Sequence, residues 1–316
     1  MKTSNHLVLS ICIPTYNRAT YLESCLNSIV DDPFFEKSNI EVIISDNASN
    51  DDTEIICAKF VNKFTNIHYY KNDYNIVDKN FPQVISKAKG IYRKVYNDTC
   101  IFEKGAIEYL YEKIIENIKD RPVLIFSNRP EKRNPKESRL NSINGVINNL
   151  SYRISWIGCY GVWDNDFRLI TNITRGCETS FWQVIHCLEN INEKKNVLIC
   201  NRELVSVQKV KKKDVSYGFF RTFTYNYLGI LNEFVLKNQM SIICFKQEER
   251  RLLFGHFSDF IINNLTGSQN YSKDKFKGFR DLVNYYYKKV YFSFFVFYIL
   301  LEIIKRVANR FFKKII

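Results

Sequence analysis

Between residues 7 and 127, short apolar runs alternate with segments whose apolar residues recur at helical spacing, and this alternation restricts the chain to one broad architecture. "LVLSICI" (7–13), "IEVIIS" (40–45), "NIHYY" (66–70), "YRKVY" (92–96) and "VLIFS" (123–127) each read as a buried strand. Between them, Thr20 opens "YLESCLNSIV", where Tyr21, Leu22, Cys25, Leu26 and Ile29 share one helical face. Further helices are expected after the turn "DNASNDD" through about Phe64, over 79–89 with Gly90 as C-cap, and over 103–117. Strand–helix–strand repetition with short connectors predicts βαβ units and a mainly parallel sheet flanked by helices. Ligands of such sheets bind beyond the carboxyl ends of the strands. Three polar turns fall at strand ends, 15–18, 46–52 and 97–99, so the fold should bring them to one rim.

The second half is less regular. Residues 128–155 are rich in Asn, Arg and Ser and read as a long surface loop. "WIGCYGVW" (156–163) follows, then a helical stretch over 178–190 and the strands "NVLIC" and "LVSVQKV". After "KKKD" (211–214) the pattern becomes long, aromatic-rich and helical. The expected division is a domain over 1–212 and a helical C-terminal region over 213–316. The chain ends in a basic amphipathic segment. Glu302, Lys305, Arg306, Asn309, Arg310 and Lys313 form one face, and Ile303, Ile304, Val307, Phe311 and Phe312 the other. That pattern suits the surface of an anionic membrane as well as ordinary docking on a domain. The apolar stretch before it, 290–301, is too short to cross a bilayer as a helix.

A net charge of +13 favours anionic partners without choosing among them. Nucleic-acid binding would account for the charge but not for the strand-end turns, so none is expected. The nine cysteines contain no C-x-x-C pair, and His186–Cys187 with Cys177 and Cys200 fits no zinc spacing. Buried free thiols in a reducing compartment are expected. "LVLSICIP" is too short for a secretory leader, which also favours a cytoplasmic location.

"ICIPTYNRATYLESCLNSI" followed by "IEVIISDNASNDDT" resembles family 2 glycosyltransferases of the GT-A fold, a Rossmann-like sheet. The likeness continues through "YNIVDKNF" and "AKGIYRKVYND" and so covers roughly residues 7–110. It implies a nucleotide-sugar donor, UDP- or another NDP-sugar, and transfer to a glycan or lipid-linked acceptor in surface polysaccharide assembly of the O-antigen or capsule kind. Pro14 should end strand pairing and leave the backbone of Thr15, Tyr16 and Asn17 free for the ligand, with Arg18 beside it. Tyr16 would pack on the base, Asp46 would accept bonds from base or ribose, and Ser49 and Asp51 would complete the turn or touch the ribose. The alternative is that Asp46, Asn47 and Ser49 merely cap the following helix, which would leave the companion motif at the end of the first strand unexplained.

In the family, the strand after the glycine of "AKGIY" ends in a D-x-D triplet holding Mg²⁺ or Mn²⁺ against the donor phosphates. This chain has Asn97-Asp98-Thr99 there, and Val77 where relatives often carry glycine. Three readings remain open: Asp98 as sole metal carboxylate with Asn97 as neutral ligand; Arg93, Lys94 or another cation neutralising phosphate; or a triplet that is only a turn. The family generally inverts the anomeric centre with a carboxylate general base, for which Glu178 is the first candidate, ahead of Asp164 and Asp166. Trp156 or Trp163 would give the acceptor an apolar platform. A peripheral position at the inner face of the membrane fits this reading. The rival is a non-catalytic nucleotide or glycan binder on the same fold.

Overall fold

A computed structural model describes residues 7–35, 39–130, 135–209, 218–266 and 276–315. The expected boundary around 211–214 lies outside the described residues. The chain forms two compact units, Met1–Gly145 with Arg153–Gln208, and Val146–Tyr152 with Lys209–Ile316.

In the first unit β1 (Leu9–Thr15), β2 (Ile40–Asp46), β3 (Ile67–Lys71) and β4 (Tyr92–Val95) form a parallel sheet in the order β3-β2-β1-β4. All residues of β1 and β2 are buried, which is why both read as continuous apolar runs. Helix α1 (Ala19–Val30) buries Leu22, Cys25, Leu26 and Ile29 in the same cluster as Leu9, Ile11 and Ile13 of β1. Each such side chain stabilises the fold by about 1.5–3 kcal/mol. Helices α2 (Thr53–Lys63) and α3 (Asn80–Ser86) follow β2 and β3.

Several elements differ from the sequence expectation. Cys100–Phe102 is a short strand, β5, so the next helix, α4, starts only at Ala106 and runs to Glu116. β6 (Val123–Phe126) lies in a second sheet with β7 (Glu137–Leu140) and β9 (Val197–Cys200). The stretch read as a loop therefore holds a strand, β7, and a helix, α5 (Ile143–Leu150). Ile143, Val146, Ile147 and Leu150 are all buried, an i, i+3, i+4, i+7 stripe that the surrounding asparagines obscured. β8 (Gly161–Trp163) pairs antiparallel with β4, and β10 (Val205–Val207) with β5.

Gly90 is not a C-cap: α3 ends earlier, with Lys87 at its cap, and Gly90 lies where β4 meets β1. A Cβ there would stand 2.5 Å from Ser10 Oγ and 2.8 Å from Ser10 N. The Gly90 N–H donates to Ser10 Oγ (2.8 Å) and to buried Glu41 (3.2 Å), and Ser10 Oγ itself donates to Glu41 (2.6 Å). One oxygen of a buried carboxylate, Glu41 Oε1, thus gathers hydroxyl and backbone donors at the amino end of the sheet.

The second unit is helical. Phe219–Arg221, Thr222–Tyr227 and Leu228–Leu236 run on as one helix with π turns in its middle, as do Ile242–Arg251, Leu252–Phe257 and Ser258–Leu265. Fully buried Glu248 accepts bonds from Ser151 (2.9 Å) and Tyr227 (3.1 Å). The last helix, Phe292–Ile315, leaves Phe294, Phe297, Leu300 and Ile304 exposed while Phe295 and Ile299 are buried. Among the described residues no helix is long and apolar enough to cross a membrane. The side chains of Asn309, Arg310, Phe311, Phe312 and Lys313 lie outside the described residues.

Candidate functional site

The ends of β1, β2 and β4 open onto one cleft of about 270 Å³. Pro14, Thr15, Tyr16 and Arg18 form its first wall, Asn97 and Asp98 its floor, and Asn47, Asn75, Val77, Asp78, Asn80 and Phe81 the opposite wall. Pro14 does not end β1, since Pro14 and Thr15 remain in register with Ser45 and Asp46. The pairing lost is with β4, whose last partner is Cys12. Cys12 O accepts from Tyr96 N on the β4 side and Thr15 O from Asn47 N on the β2 side. Alternation turns the Pro14 nitrogen toward β4, beyond the last ladder bond, where a missing N–H costs nothing.

The turn after β2 braces the turn after β1. Fully buried Asp46 accepts from Ser49 N (2.9 Å) and the Tyr69 hydroxyl (2.7 Å). Ser49 Oγ accepts from Asn17 N (2.8 Å), and Asn17, in a left-handed conformation, accepts from Asn50 N (2.9 Å). Asp51 accepts from Ala19 N (3.0 Å) and from Thr53 N (3.1 Å), so one carboxylate caps both α1 and α2. The expected cap at Thr20 is therefore supplied from across the turn. Burial pushes the Asp51 pKa up, but the bonds from Thr53 and Ala19 outweigh it and leave it lowered. Asp46, Asn17, Ser49 and Asp51 do not line the cleft; they hold in place the residues that do.

Asn47, by contrast, faces the cleft and shapes its far wall. Its amide donates to Asn75 Oδ1 (2.8 Å) and Val77 O (3.2 Å) and accepts from Ile76 N (2.8 Å). The turn so held carries Val77 at φ 53°, an outlier for a β-branched residue, with the side chain 69% exposed. The glycine-like position noted in the sequence is a left-handed position in the fold.

Asp98 is 2% exposed and both its oxygens are engaged. Oδ2 accepts from Thr15 Oγ1 (2.8 Å) and Oδ1 from Arg18 Nη1 (3.0 Å). Burial raises its pKa, opposed by Arg18 and Thr15. Arg93 and Lys94 point elsewhere. Arg93 donates to Ile85 O (3.2 Å) and stacks on Phe167; fully buried Lys94 donates to the carbonyls of Gly158 and Tyr160. Neither cation lines either cleft, so of the readings left open, phosphate neutralisation by Arg93 or Lys94 finds no support, while another cation is left for that part.

A second cleft of about 250 Å³ shares Asp78, Phe81 and Asn97 with the first and adds Ser155, Trp156, Ile157, Ser180, Trp182 and Gln183. Trp156 is its aromatic wall. Trp163 is core, packed edge-on against Tyr92 with its indole N–H on Pro122 O (2.6 Å). Asp164 and Asp166 lie beyond Trp163, which pairs with Tyr92 at the far end of β4 from Asn97. They bond Arg121 (2.8 Å) and Lys194 (2.5 Å) and meet neither cleft. Glu178 precedes the helix Trp182–Lys194 in a separate turn, Cys177–Thr179; its side chain is exposed and lines neither cleft. That turn packs on Val77–Lys79, and Ser180 bonds Asp78. Asp78, which the sequence reading did not single out, is the carboxylate common to both clefts; burial raises its pKa, opposed by Ser180.

These donors do not fit a resident divalent ion. Mg²⁺ and Mn²⁺ sites use one or two carboxylates with accessible oxygens; here the single carboxylate at the strand end is buried, with one oxygen held by an arginine and the other by a hydroxyl. Among the described residues no group of three His, Cys, Asp or Glu converges on a point.

A mainly parallel sheet whose strand ends form such a cleft, with an antiparallel edge strand, is similar to the layout of GT-A glycosyltransferases. The profile described as Glycosyl transferase family 2 matches residues 10–177, more than half of the sequence, and the chain belongs to that family. It is 39% identical over 106 residues to the abequosyltransferase RfbV of Salmonella typhimurium, covering 33% of this chain and 32% of that one. The curated relatives are thus matched over about a third of their length. In fold it is similar to S. aureus TarS 1-349 in complex with UDP, with TM-score 0.55, 17% identity, and 79% of this chain and 72% of that one covered. It is also similar to the mannosyltransferase PcManGT from Pyrobaculum calidifontis in complex with GDP-Man and Mn²⁺. There the TM-score is 0.57 at 11% identity, over 97% of this chain and 88% of that one.

Proposed function

We propose that the chain transfers a sugar from a nucleotide-sugar donor, a UDP- or other NDP-sugar, to a glycan or lipid-linked acceptor in surface polysaccharide assembly. The observation that carries this is the pair of joined clefts. The first has an aromatic ring (Tyr16, 43% exposed) for a base, asparagine amides for polar edges, and a guanidinium at the helix start for phosphate. The second meets it at Asp78 and Asn97 and offers Trp156 for a sugar face. A donor in one and an acceptor in the other would bring anomeric carbon and hydroxyl together where the clefts join.

Direct displacement there inverts the anomeric centre. Glu178 serves as the base: it lines neither cleft, but its side chain is exposed and its turn packs on Val77–Lys79 beside the junction, where Ser180 bonds Asp78. The last helix contributes membrane contact at the inner face, its exposed Phe294, Phe297, Leu300 and Ile304 lying against lipid beside Lys305. Binding to vesicles of anionic, but not neutral, lipid that weakens with salt supports this contact; equal binding to both, or none, overturns it.

Purified protein incubated with a panel of nucleotide sugars tests the assignment. Release of nucleoside diphosphate from one donor, stimulated by acceptor glycan, is expected. The replacement of the acidic triplet by a single buried, arginine-paired carboxylate also favours a second reading, a binder without turnover; nucleotide binding with no release from any donor would establish it.

A further inference from the structure

The pairing of Arg18 with Asp98 points beyond that reading while resting on it. We infer that the Arg18 guanidinium, held by Asp98, takes the place of a divalent ion at the donor diphosphate, so that binding and transfer proceed without metal. Asp98 is buried, with one oxygen engaged by Thr15 and the other by Arg18, so it offers a cation no exposed, unpartnered oxygen. Arg18 is the one cation among the residues lining the cleft, and its side chain is 49% exposed. Nη1 is anchored on Asp98, and its other donors have no partner among the described residues. That leaves a forked, permanently charged group facing the cleft, the geometry that binds phosphate oxygens in pairs. Arg18 is also where α1 begins, so the helix adds positive potential at the same point.

In the transfer step the acceptor oxygen bonds to the anomeric carbon while that carbon's bond to the diphosphate oxygen breaks. The bonding pair leaves on the diphosphate, and the hydroxyl proton passes to the base carboxylate. Arg18 keeps its proton throughout and stabilises the charge arriving on the leaving group.

Calorimetric titration of the full chain with UDP, GDP, CDP and dTDP, in EDTA and in excess Mn²⁺, tests the inference. The nucleotide that binds should do so equally, within about twofold, in both buffers. Arg18→Ala should weaken it roughly 10- to 100-fold in both, with Arg18→Lys between, because an ammonium keeps charge but loses the fork. Sugar release from the matching donor should persist in EDTA. Affinity that collapses in EDTA, returns with Mn²⁺ and ignores Arg18→Ala overturns the inference and leaves the nucleotide-sugar reading standing. Failure of all four nucleotides to bind in either buffer overturns both.

Discussion

Replacing Gly90 by alanine separates two accounts of this glycine. A glycine that merely ended a helix would, on substitution, cost about 1 kcal/mol. The structure predicts a much larger loss. The new Cβ would lie 2.5 Å from Ser10 Oγ, 2.8 Å from Ser10 N and 2.9 Å from Leu9 C, and the last two contacts are backbone of the central strand. Overpacking of this kind costs about 1–3 kcal/mol. Rotating Ser10 Oγ away would also break its bonds to Gly90 N and Glu41, at about 0.5–1.5 kcal/mol each, and leave the carboxylate under-bonded. The total, roughly 2–6 kcal/mol, is a large part of a domain's stability. Urea unfolding followed by circular dichroism should show the midpoint falling with little change in slope. Adding Ser10→Ala should restore only part of the loss, since the backbone contacts remain. A Gly90→Ala loss near 1 kcal/mol, or full rescue by Ser10→Ala, would refute the close-approach account.

Three further outcomes are expected. Glu178→Gln should lower kcat by about 10²–10⁴-fold with nucleotide affinity unchanged, read by steady-state kinetics beside calorimetry. Burial drives the Lys94 amine from its usual 10.5 down to about 7, so above pH 7 the unfolded chain binds a proton that the folded chain does not. The stability of the wild type relative to Lys94→Met should therefore rise with pH, by up to about 1.4 kcal/mol per unit, levelling off near the unfolded lysine value, as urea midpoints at several pH values will show. Val77→Gly should leave thermal stability unchanged or raised by up to about 1 kcal/mol, because relief of about 1–2 kcal/mol of left-handed strain exceeds the entropy glycine adds to the unfolded chain.

Much of the first unit was legible because its signals are local. Fully buried strands are apolar throughout, and the P-T-Y-N-R and D-N-x-S-x-D turns sit within a few residues of strand ends. What each turn residue does was not legible, since that depends on partners dozens of positions away. Ser49 and Asp51 look like ligand contacts until Asn17 and Ala19 are seen bonded to them. Arg93 and Lys94 stand next to the site in sequence, yet strand geometry turns one onto Ile85 and buries the other. Arg18, eighty positions from Asp98, became the neighbouring cation instead. Asp78 went unnoticed because its value lies in the meeting of two clefts. The strand and helix over 137–150 were masked by asparagine-rich composition, although the apolar stripe of α5 was present to be counted.

The short segment Val146–Tyr152 belongs with the helices of the second unit although it is threaded out of the first. Asn148 bonds Arg251 (2.9 Å), and Ser151 bonds Glu248. Shortening the gene to end at Gln208 would therefore strip Val146, Ile147 and Leu150 of their shelter and give a sticky, poorly soluble fragment. Anyone seeking a minimal enzyme should excise or re-surface that internal helix as well, rather than trim only the tail.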